Sequence, residues 1–326
     1  MEAKLESVSL PSAQITPRQG WSARTRRDFI TGLLFISPWI LGFLFFVLYP
    51  MLSSLYNSFT EYHFRAPSEW VGLTNYMELY EDKRFWIALY NTAYMVIFAV
   101  PLTLFCSFCC AVLLNLKLPG QSFYRVIYFL PSIVPLVAAT MLWVWIYNTN
   151  NGIVNMFLND LGLPGPNWIS DPRWSKPALI ILGLWGMGST IVIYLSGLQD
   201  VPTSLLEAAE LDGASWLQRL WHITIPYVSP ITVFNLVLGV IAMFQYFTQA
   251  LIFAEAQTNW GGSARTLGAP LDSTLFYSIY LYDKAFLDLK IGYASAMAWI
   301  LFIIIMICTL IILRLSDRWT YYGDMG

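Results

Sequence analysis

The stretch that decides the fold class follows Lys290 and reads I-G-Y-A-S-A-M-A-W-I-L-F-I-I-I-M-I-C-T-L-I-I-L, residues 291–313. It carries no Asp, Glu, Lys or Arg, and nearly all of its side chains are apolar. A helix needs about 20 apolar residues to cross a hydrocarbon core about 30 Å thick, and this stretch is long enough. The sequence therefore predicts a membrane-spanning helix here.

Five further windows are equally free of formal charge. They lie between Asp28 and Glu61, Arg84 and Lys117, Arg125 and Asp160, Lys176 and Asp200, and Arg219 and Glu255. The 326 residues are 57% hydrophobic and 12% charged. About a quarter of residues are charged in a typical soluble domain. We therefore predict an all-α integral membrane protein with six transmembrane helices.

The windows also divide the chain into parts. We expect a polar tail over residues 1–27, a six-span domain over 28–318, and a short C-terminal tail over 319–326. Three arginines within residues 24–27 directly precede the first span, and positive charge favours the cytoplasmic side. An even number of spans then returns the C-terminus to the cytoplasm.

Irregular features inside and between the spans predict a packed bundle. Prolines within the windows remove backbone hydrogen bonds and favour kinked helices at Pro38, Pro101, Pro131 and Pro135. The longer loops, about 57–86, 149–177 and 254–290, are rich in aromatic and turn residues, and we expect them to be folded and outside. The four cysteines fall within spans, where buried thiols are expected rather than disulfides or metal ligands.

One predicted cytoplasmic loop, residues 200–226, is too patterned for a simple hairpin. It reads D-V-P-T-S-L-L-E-A-A-E-L-D-G-A-S-W-L-Q-R-L-W-H-I-T-I-P. Ser204 and Glu207 fit a capping box, and Gly213 stands where a left-handed C-terminal cap is expected. These signals predict a helix from about Leu205 to Asp212, roughly 12 Å long at 1.5 Å per residue. So short a helix is marginal alone and must dock on something.

Local physics leaves two interpretations of that loop open. In the first, Glu207 and Gly213 only begin and end the helix, and its leucines rest on the chain's own spans. In the second, the helix docks on a partner protein. The leucines concerned are Leu205, Leu206 and Leu211.

The order of residues in the loop favours the second interpretation. Glu207-Ala208-Ala209, then Gly213-Ala214, then Ile223-x-x-Pro226 resembles the EAA loop of permease subunits in binding-protein-dependent ABC importers. The resemblance covers about residues 28–318 and is closest to the maltose-type sugar permeases. Other segments that carry it are Asn91-Thr92, Phe129-Leu130-Pro131 and Gly292-Tyr293-Ala294-Ser295-Ala296. The chain departs from the family pattern at Leu220, at His222 and around residues 257–265.

The resemblance implies a fold and a set of partners. The fold is the type I importer permease bundle, and the loop carries the coupling helix that sits in a cleft of the ATPase. The implied coupling residues are Glu207, Ala208, Ala209, Asp212 and Gly213. The implied partners are a second permease in a heterodimer, two ATPase subunits, an extracellular solute-binding protein and the lipid bilayer of a bacterial or archaeal plasma membrane. The chain itself is expected to hold no cofactor, since ATP and Mg belong to the ATPase subunits, and to bind no nucleic acid.

The implied solute is a sugar or related compound that touches the fourth and fifth spans. The residues there are Trp185, Gly186, Ser189, Gly239, Met243, Gln245 and Tyr246. Trp185 and Tyr246 are expected to stack on sugar faces, because aromatic rings combine apolar area with a polar edge. The alternative is that these are helix-packing positions, since small residues allow membrane helices to approach closely.

Several other function classes are disfavoured. No glycine is followed by lysine, so a phosphate-binding P-loop is excluded. His63 and His222 are the only histidines, and no pattern of catalytic residues or metal ligands accompanies them. The spans lack the ionisable groups that proton-coupled carriers use. A secondary transporter or a channel without an ATPase partner remains the alternative function.

Overall fold

The computed structural model describes residues 23–62, 68–116, 119–259, 267–318 and 320. These residues are mainly helical and include one two-stranded sheet. Most of both predicted tails, and residues 260–266, which include most of the divergent segment 257–265, lie outside the described residues. By its internal contacts the chain divides into two compact units, residues 1–54 and residues 55–326.

The described part of the first unit is a single apolar helical run. It contains α1 (Ala23–Phe43), a π-helical turn (Leu44–Leu48) and the beginning of α2 (Tyr49–Asn57). Pro38 lies inside α1 and does not end it. The run is long and apolar enough to cross a membrane, and its most apolar window is unburied. A helix that is apolar all round suits a hydrocarbon environment or a neighbouring membrane helix.

The second unit begins with a small folded loop. Strand β1 (Thr60–Glu61) pairs antiparallel with β2 (Glu69–Trp70), and α3 (Thr74–Glu81) follows. Buried Asn75 of α3 donates from Nδ2 to the Thr60 carbonyl over 3.1 Å. This hydrogen bond fastens α3 to the sheet, so the described part of the first long loop is folded, as the sequence predicts.

The second span is one long helix, α4 (Lys83–Asn115). Asp82 caps it, because a carboxylate oxygen accepts from the Arg84 backbone N–H over 2.9 Å. Pro101 lies inside the helix, and the helix continues on both sides of it. The predicted span is confirmed, and the proline does not divide it.

The third window forms two helices rather than one straight span. These are α5 (Gln121–Ile133) and α6 (Leu136–Ile146), bent by 98° at the intervening break. Pro135 explains the break, since it lacks an N–H and disfavours helical backbone at Val134. Val134 accordingly has extended backbone with φ −66° and ψ 131°. The predicted kink is confirmed at Pro135, whereas Pro131 lies inside α5.

The fourth window is also bent, at a place that no proline marks. After α7 (Ile153–Asp160) in the second long loop, the span consists of α8 (Ser175–Trp185) and α9 (Gly188–Gln199). The two helices meet at 50° across residues 186–187. This bend was not among the features predicted from the sequence.

The fifth span follows the patterned loop. That loop holds α10 (Thr203–Leu211), and α11 (Trp216–Arg219) leads through a π-helical turn (Leu220–Thr224) into α12 (Ile225–Phe244). A break then separates α12 from α13 (Thr248–Asn259). On its other side, α12 is continuous with the π-helical turn and α11, the helix that follows α10.

The last elements are α14 (Tyr277–Tyr282), a π-helical turn (Asp283–Leu287) and the sixth span, α15 (Ile291–Ser316). Within the described ranges, four helices are long and apolar enough to cross a membrane, and each bent pair can supply one more. The structure thus accommodates the six spans that the charge-free windows predict.

The core of the second unit forms where α4 packs against α9, α12 and α14. Aromatic side chains dominate it: Tyr147, Phe253 and Tyr277 are almost completely buried. The Tyr147 ring stacks on Trp168 with centroids 5.3 Å apart. All four cysteines are free and half-buried in α4 and α15. Among the described residues, no group of three His, Cys, Asp or Glu side chains is placed to hold a metal ion.

Candidate functional site

Helix α10 ends in a left-handed turn at Gly213, whose φ is +81°. The Gly213 N–H donates to the Glu210 carbonyl over 3.0 Å, and the Ala214 N–H donates to the Ala209 carbonyl over 2.9 Å. This pair of bonds is a Schellman motif, which satisfies carbonyls left free at the end of a helix. Glycine suits the turn because it has no Cβ atom, whereas the Cβ of other residues causes steric strain at positive φ. The predicted C-terminal cap is confirmed.

The predicted capping box at the start of α10 is wrong. Pro202 occupies the N-cap position and makes no side-chain cap, so Ser204 falls within the first turn. The loop does contain a capping box, but it begins α11. There Ser215 Oγ accepts from the Gln218 N–H over 3.4 Å, and Gln218 Oε1 accepts from the Ser215 N–H over 2.7 Å. Pro202 replaces the expected serine cap because its fixed φ already suits a helix start.

The coupling residues implied by the family resemblance form an accessible surface. Glu207, Ala208, Asp212 and Gly213 are exposed, and Ala209 is half-buried. No residue of α10 is buried. Polar and small side chains with this exposure leave room for a second protein to approach the helix closely.

The leucines of α10 divide between the chain itself and open space. Leu206 lines a cavity of about 240 Å³ beside Val112 of α4 and Leu198 of α9. Leu211, in contrast, is 89% exposed at the end of the helix. The interpretation in which every leucine rests on the chain's own spans is therefore wrong for Leu211. An apolar side chain this exposed suits contact with a partner protein.

The candidate solute residues cluster at two interruptions of the spans. Trp185 and Gly186 lie at the bend between α8 and α9, with Ser189 in the first turn beyond it. Gln245 and Tyr246 lie in the break between α12 and α13. In transporters, binding sites are often built at interrupted helices, where backbone polar groups become free.

Burial separates these candidates. Gly186, Ser189 and Gln245 are exposed, whereas Trp185 and Met243 are half-buried. The Trp185 ring meets Trp143 edge-on, with centroids 6.1 Å apart. Among the solute candidates, the small and polar residues at the bends are thus the accessible ones in this conformation.

Tyr246 does not offer the ring face expected for sugar stacking. Its side chain is 8% exposed and packs edge-on against Phe276, with centroids 5.4 Å apart. Its hydroxyl is buried and has no hydrogen-bond partner within the described part of the chain. The predicted stacking on Tyr246 is therefore unavailable in this conformation, because a sequence does not reveal which aromatic rings the core covers.

Gly239 fits the packing alternative. A Cβ atom at this position would lie 3.0 Å from Cγ1 of Val100, which is closer than ordinary van der Waals contact. The glycine lets α12 approach α4, in line with the use of small residues between membrane helices.

Two segments that carry the family resemblance hold the loops to the spans. Asn91 donates from Nδ2 to the carbonyls of Asp272 (2.7 Å) and Leu275 (3.0 Å), and its Oδ1 accepts from Lys176 Nζ over 2.8 Å. Gly292 is required at the start of α15, since a Cβ there would lie 2.0 Å from the Thr60 carbonyl oxygen. These motif residues hold the loops against the spans.

Asp82 joins the first loop to the sixth span. Its Oδ2 accepts from the hydroxyl of Tyr293 over 2.6 Å and from the hydroxyl of Tyr280. Burial opposes ionisation, but these hydrogen bonds and the backbone N–H groups of Arg84 and Phe85 outweigh it, so the pKa of Asp82 lies below its usual value. The aspartate therefore stays charged and holds three elements together.

One ion pair beside the implied coupling residues was not predicted from the sequence. Glu210 and Arg219 form an ion pair across the Gly213 turn. The signal was present as opposite charges on the two helices that flank a glycine turn. The sequence does not give the turn angle that decides whether these two side chains meet.

Comparisons with known proteins agree with this architecture. Residues 99–321 match the family model described as "Binding-protein-dependent transport system inner membrane component". The probable ABC transporter permease protein YesP of Bacillus subtilis is 40% identical over 304 residues, covering 92% of this chain and 95% of the relative. The sulfoquinovosyl glycerol transport system permease protein SmoG of Agrobacterium fabrum is 30% identical over 291 residues, covering 88% of this chain and 91% of the relative.

A solved structure has the same fold. It is the crystal structure of a bacterial ABC transporter involved in the import of the acidic polysaccharide alginate, similar with a TM-score of 0.76 and 21% identity. The alignment covers 91% of this chain and 98% of that chain. The family model, these relatives and the fold all indicate the same protein family. The chain belongs to the binding-protein-dependent transport system inner membrane components, the non-catalytic permease subunits of ABC importers.

Proposed function

We propose that this permease forms, with a second permease subunit, the pathway by which a sugar or oligosaccharide enters the cell. An extracellular binding protein delivers the solute, and two ATPase subunits, which hold ATP and Mg, drive alternating access. Named sugar permeases among the relatives support this class of solute, including SmoG and the lactose permease LacF of Rhizobium radiobacter, 31% identical over 291 residues. A related importer has been solved in complex with a periplasmic protein bound to an alginate pentasaccharide, which supports a binding-protein partner.

The observation that carries the ATPase partner is the exposed face of α10. A short helix with no buried residue is marginal by itself and gains order by docking. Its Schellman turn at Gly213 reverses the chain towards α11, and Leu211 is exposed at its end. Glu207, Ala208, Ala209 and Asp212 complete the proposed coupling surface.

The proposed topology puts this surface in the cytoplasm of a bacterium or archaeon, with both termini on the same side. Three arginines within residues 24–27 support that orientation. The proposed solute pathway passes the bends at Gly186 and Gln245, where the chain offers exposed small and polar groups.

The test is purification of the affinity-tagged permease in mild detergent, coexpressed with its genomic neighbours. We expect the second permease and an ATPase to copurify in stoichiometric amounts. After reconstitution, the complex should hydrolyse ATP faster when its binding protein and a panel of candidate sugars are added. A permease that purifies alone and still transports sugars would support a secondary transporter and refute the proposal.

A further inference from the structure

The Glu210–Arg219 ion pair connects the two helices on either side of the Gly213 turn. Arg219 Nη1 donates to Glu210 Oε2. The side chain of Arg219 is only 22% exposed, whereas that of Glu210 is 69% exposed. The arginine is thus partly embedded in the protein, and the glutamate reaches it from the surface of α10.

Helix α10 needs such a connection, because little else holds it. It buries no residue, and its half-buried residues are Leu206, which lines the cavity beside α4 and α9, and Ala209. The Gly213 turn joins α10 to α11 at one end, but a turn alone leaves a hinge. An ion pair across the turn restricts that freedom by linking the two helices.

Arg219 also lies where the fifth span begins. Its N–H donates to the Ser215 carbonyl over 3.0 Å, and its carbonyl accepts from Thr224 Oγ1 over 3.5 Å. Thr224 ends the π-helical turn Leu220–Thr224, which continues directly into α12. Such π-helical turns often occur at functional sites. A displacement of Arg219 is therefore passed to α12 through continuous helical backbone.

We propose that the Glu210–Arg219 pair is a latch that makes α10 and the start of the fifth span move as one body. The latch rests on the proposed coupling of α10 to an ATPase. Both are positioning residues: they touch each other and not the solute. Without the pair, α10 can follow its partner while the Gly213 turn flexes, and less of the motion reaches the break at Gln245.

The experiment uses the reconstituted importer, with the native cysteines of this chain replaced by alanine and Gln245→Cys as a reporter. We measure its rate of modification by N-ethylmaleimide with and without Mg²⁺ and a non-hydrolysable ATP analogue. Glu210→Gln and Arg219→Gln should each reduce the nucleotide-induced change in rate about threefold, the size expected for a partly exposed ion pair. Glu210→Arg combined with Arg219→Glu should restore it.

A matched control comes from an ion pair in another loop. Arg173 Nε lies 3.7 Å from Asp171 Oδ1 in the second long loop, and Arg173→Gln should leave the nucleotide response unchanged. Retention of the ATPase on each variant is measured in parallel.

Three outcomes would overturn the latch: single variants with a full nucleotide response, a charge-reversed pair that restores nothing, or single variants that lose the ATPase. The last outcome would place the charges in the partner interface. Failure of the proposed function is distinguishable, because the unaltered complex would then show no nucleotide response.

Discussion

Gly213 allows the coupling geometry to be tested by backbone strain alone. Its φ is +81°, and an added Cβ would meet no atom within 4 Å. Gly213→Ala therefore introduces no clash, and its cost is that of holding an L-residue in the left-handed region, about 1–2 kcal/mol. Gly213→Val costs more, because a β-branched side chain is further restricted.

That energy predicts the size of the effect on ATPase binding. A penalty of 1–2 kcal/mol lowers the population of the native turn relative to alternatives by about 5- to 30-fold. If α10 must have this turn to dock, the affinity for the ATPase should fall by up to the same factor. Gly213→Asn should retain most of the affinity, since asparagine tolerates positive φ better than other residues.

The assay is titration of the purified ATPase subunit against the permease heterodimer in nanodiscs, followed by ATP hydrolysis of the assembled complex. The matched control is Gly72→Ala in the first long loop, where φ is +61° and an added Cβ again meets nothing within 4 Å. The control introduces a similar backbone strain far from α10 in sequence, so this variant should bind the ATPase normally. Wild-type affinity in both Gly213→Ala and Gly213→Val would refute the reasoning, because the left-handed turn would then be dispensable.

Three further predictions concern topology, stability and packing. Single cysteines placed at Asn150 and Ser215 in a cysteine-free chain should differ in their reactivity. The cysteine at 150 should react with an impermeant maleimide added outside, and the cysteine at 215 should react only after permeabilisation. The opposite pattern would invert the topology. Asp82→Asn should lower the free energy of unfolding by about 1 kcal/mol, allowing for partial exposure, as measured by thermal melting with a thiol-reactive dye. Because the Asp82 pKa is lowered from 3.8, its contribution is present above that pH and lost as the pH falls below it, so an asparagine variant with unchanged acid sensitivity would contradict this role. Gly239→Ala places a methyl group 3.0 Å from Val100 Cγ1 and should destabilise the fold by about 1 kcal/mol, with Val100→Ala relieving the loss; no relief would argue against packing at this position.

The sequence predicted the number of spans well, because the cost of burying charge in hydrocarbon is a property of composition. Every long apolar helix and bent pair in the described residues has most of its length within a charge-free window. Gly213 was equally predictable, since a glycine after a short helical run has a specific backbone role. The φ of +81° at Gly213 agrees with a left-handed C-terminal cap.

Local signals failed where two of them competed. Ser204 and Glu207 have the spacing of a capping box, yet Pro202 starts the helix and the box forms at Ser215 and Gln218 instead. Ser204 has Glu207 three residues later, and Ser215 has Gln218 three residues later. Spacing alone therefore does not show which of the two serines forms a capping box. Proline decides, because its ring fixes φ at the helix start.

The sequence by itself determined that this chain resides in a membrane, which loop carries the family motif, and that the third span is kinked at a proline. Tertiary structure alone decided which side chains are available. It covered Tyr246, left Leu211 exposed, and joined Glu210 to Arg219 across a turn. The physical reason is that hydrophobicity and backbone preference are properties of a residue and its neighbours in sequence, whereas exposure and ion pairing depend on how distant helices pack.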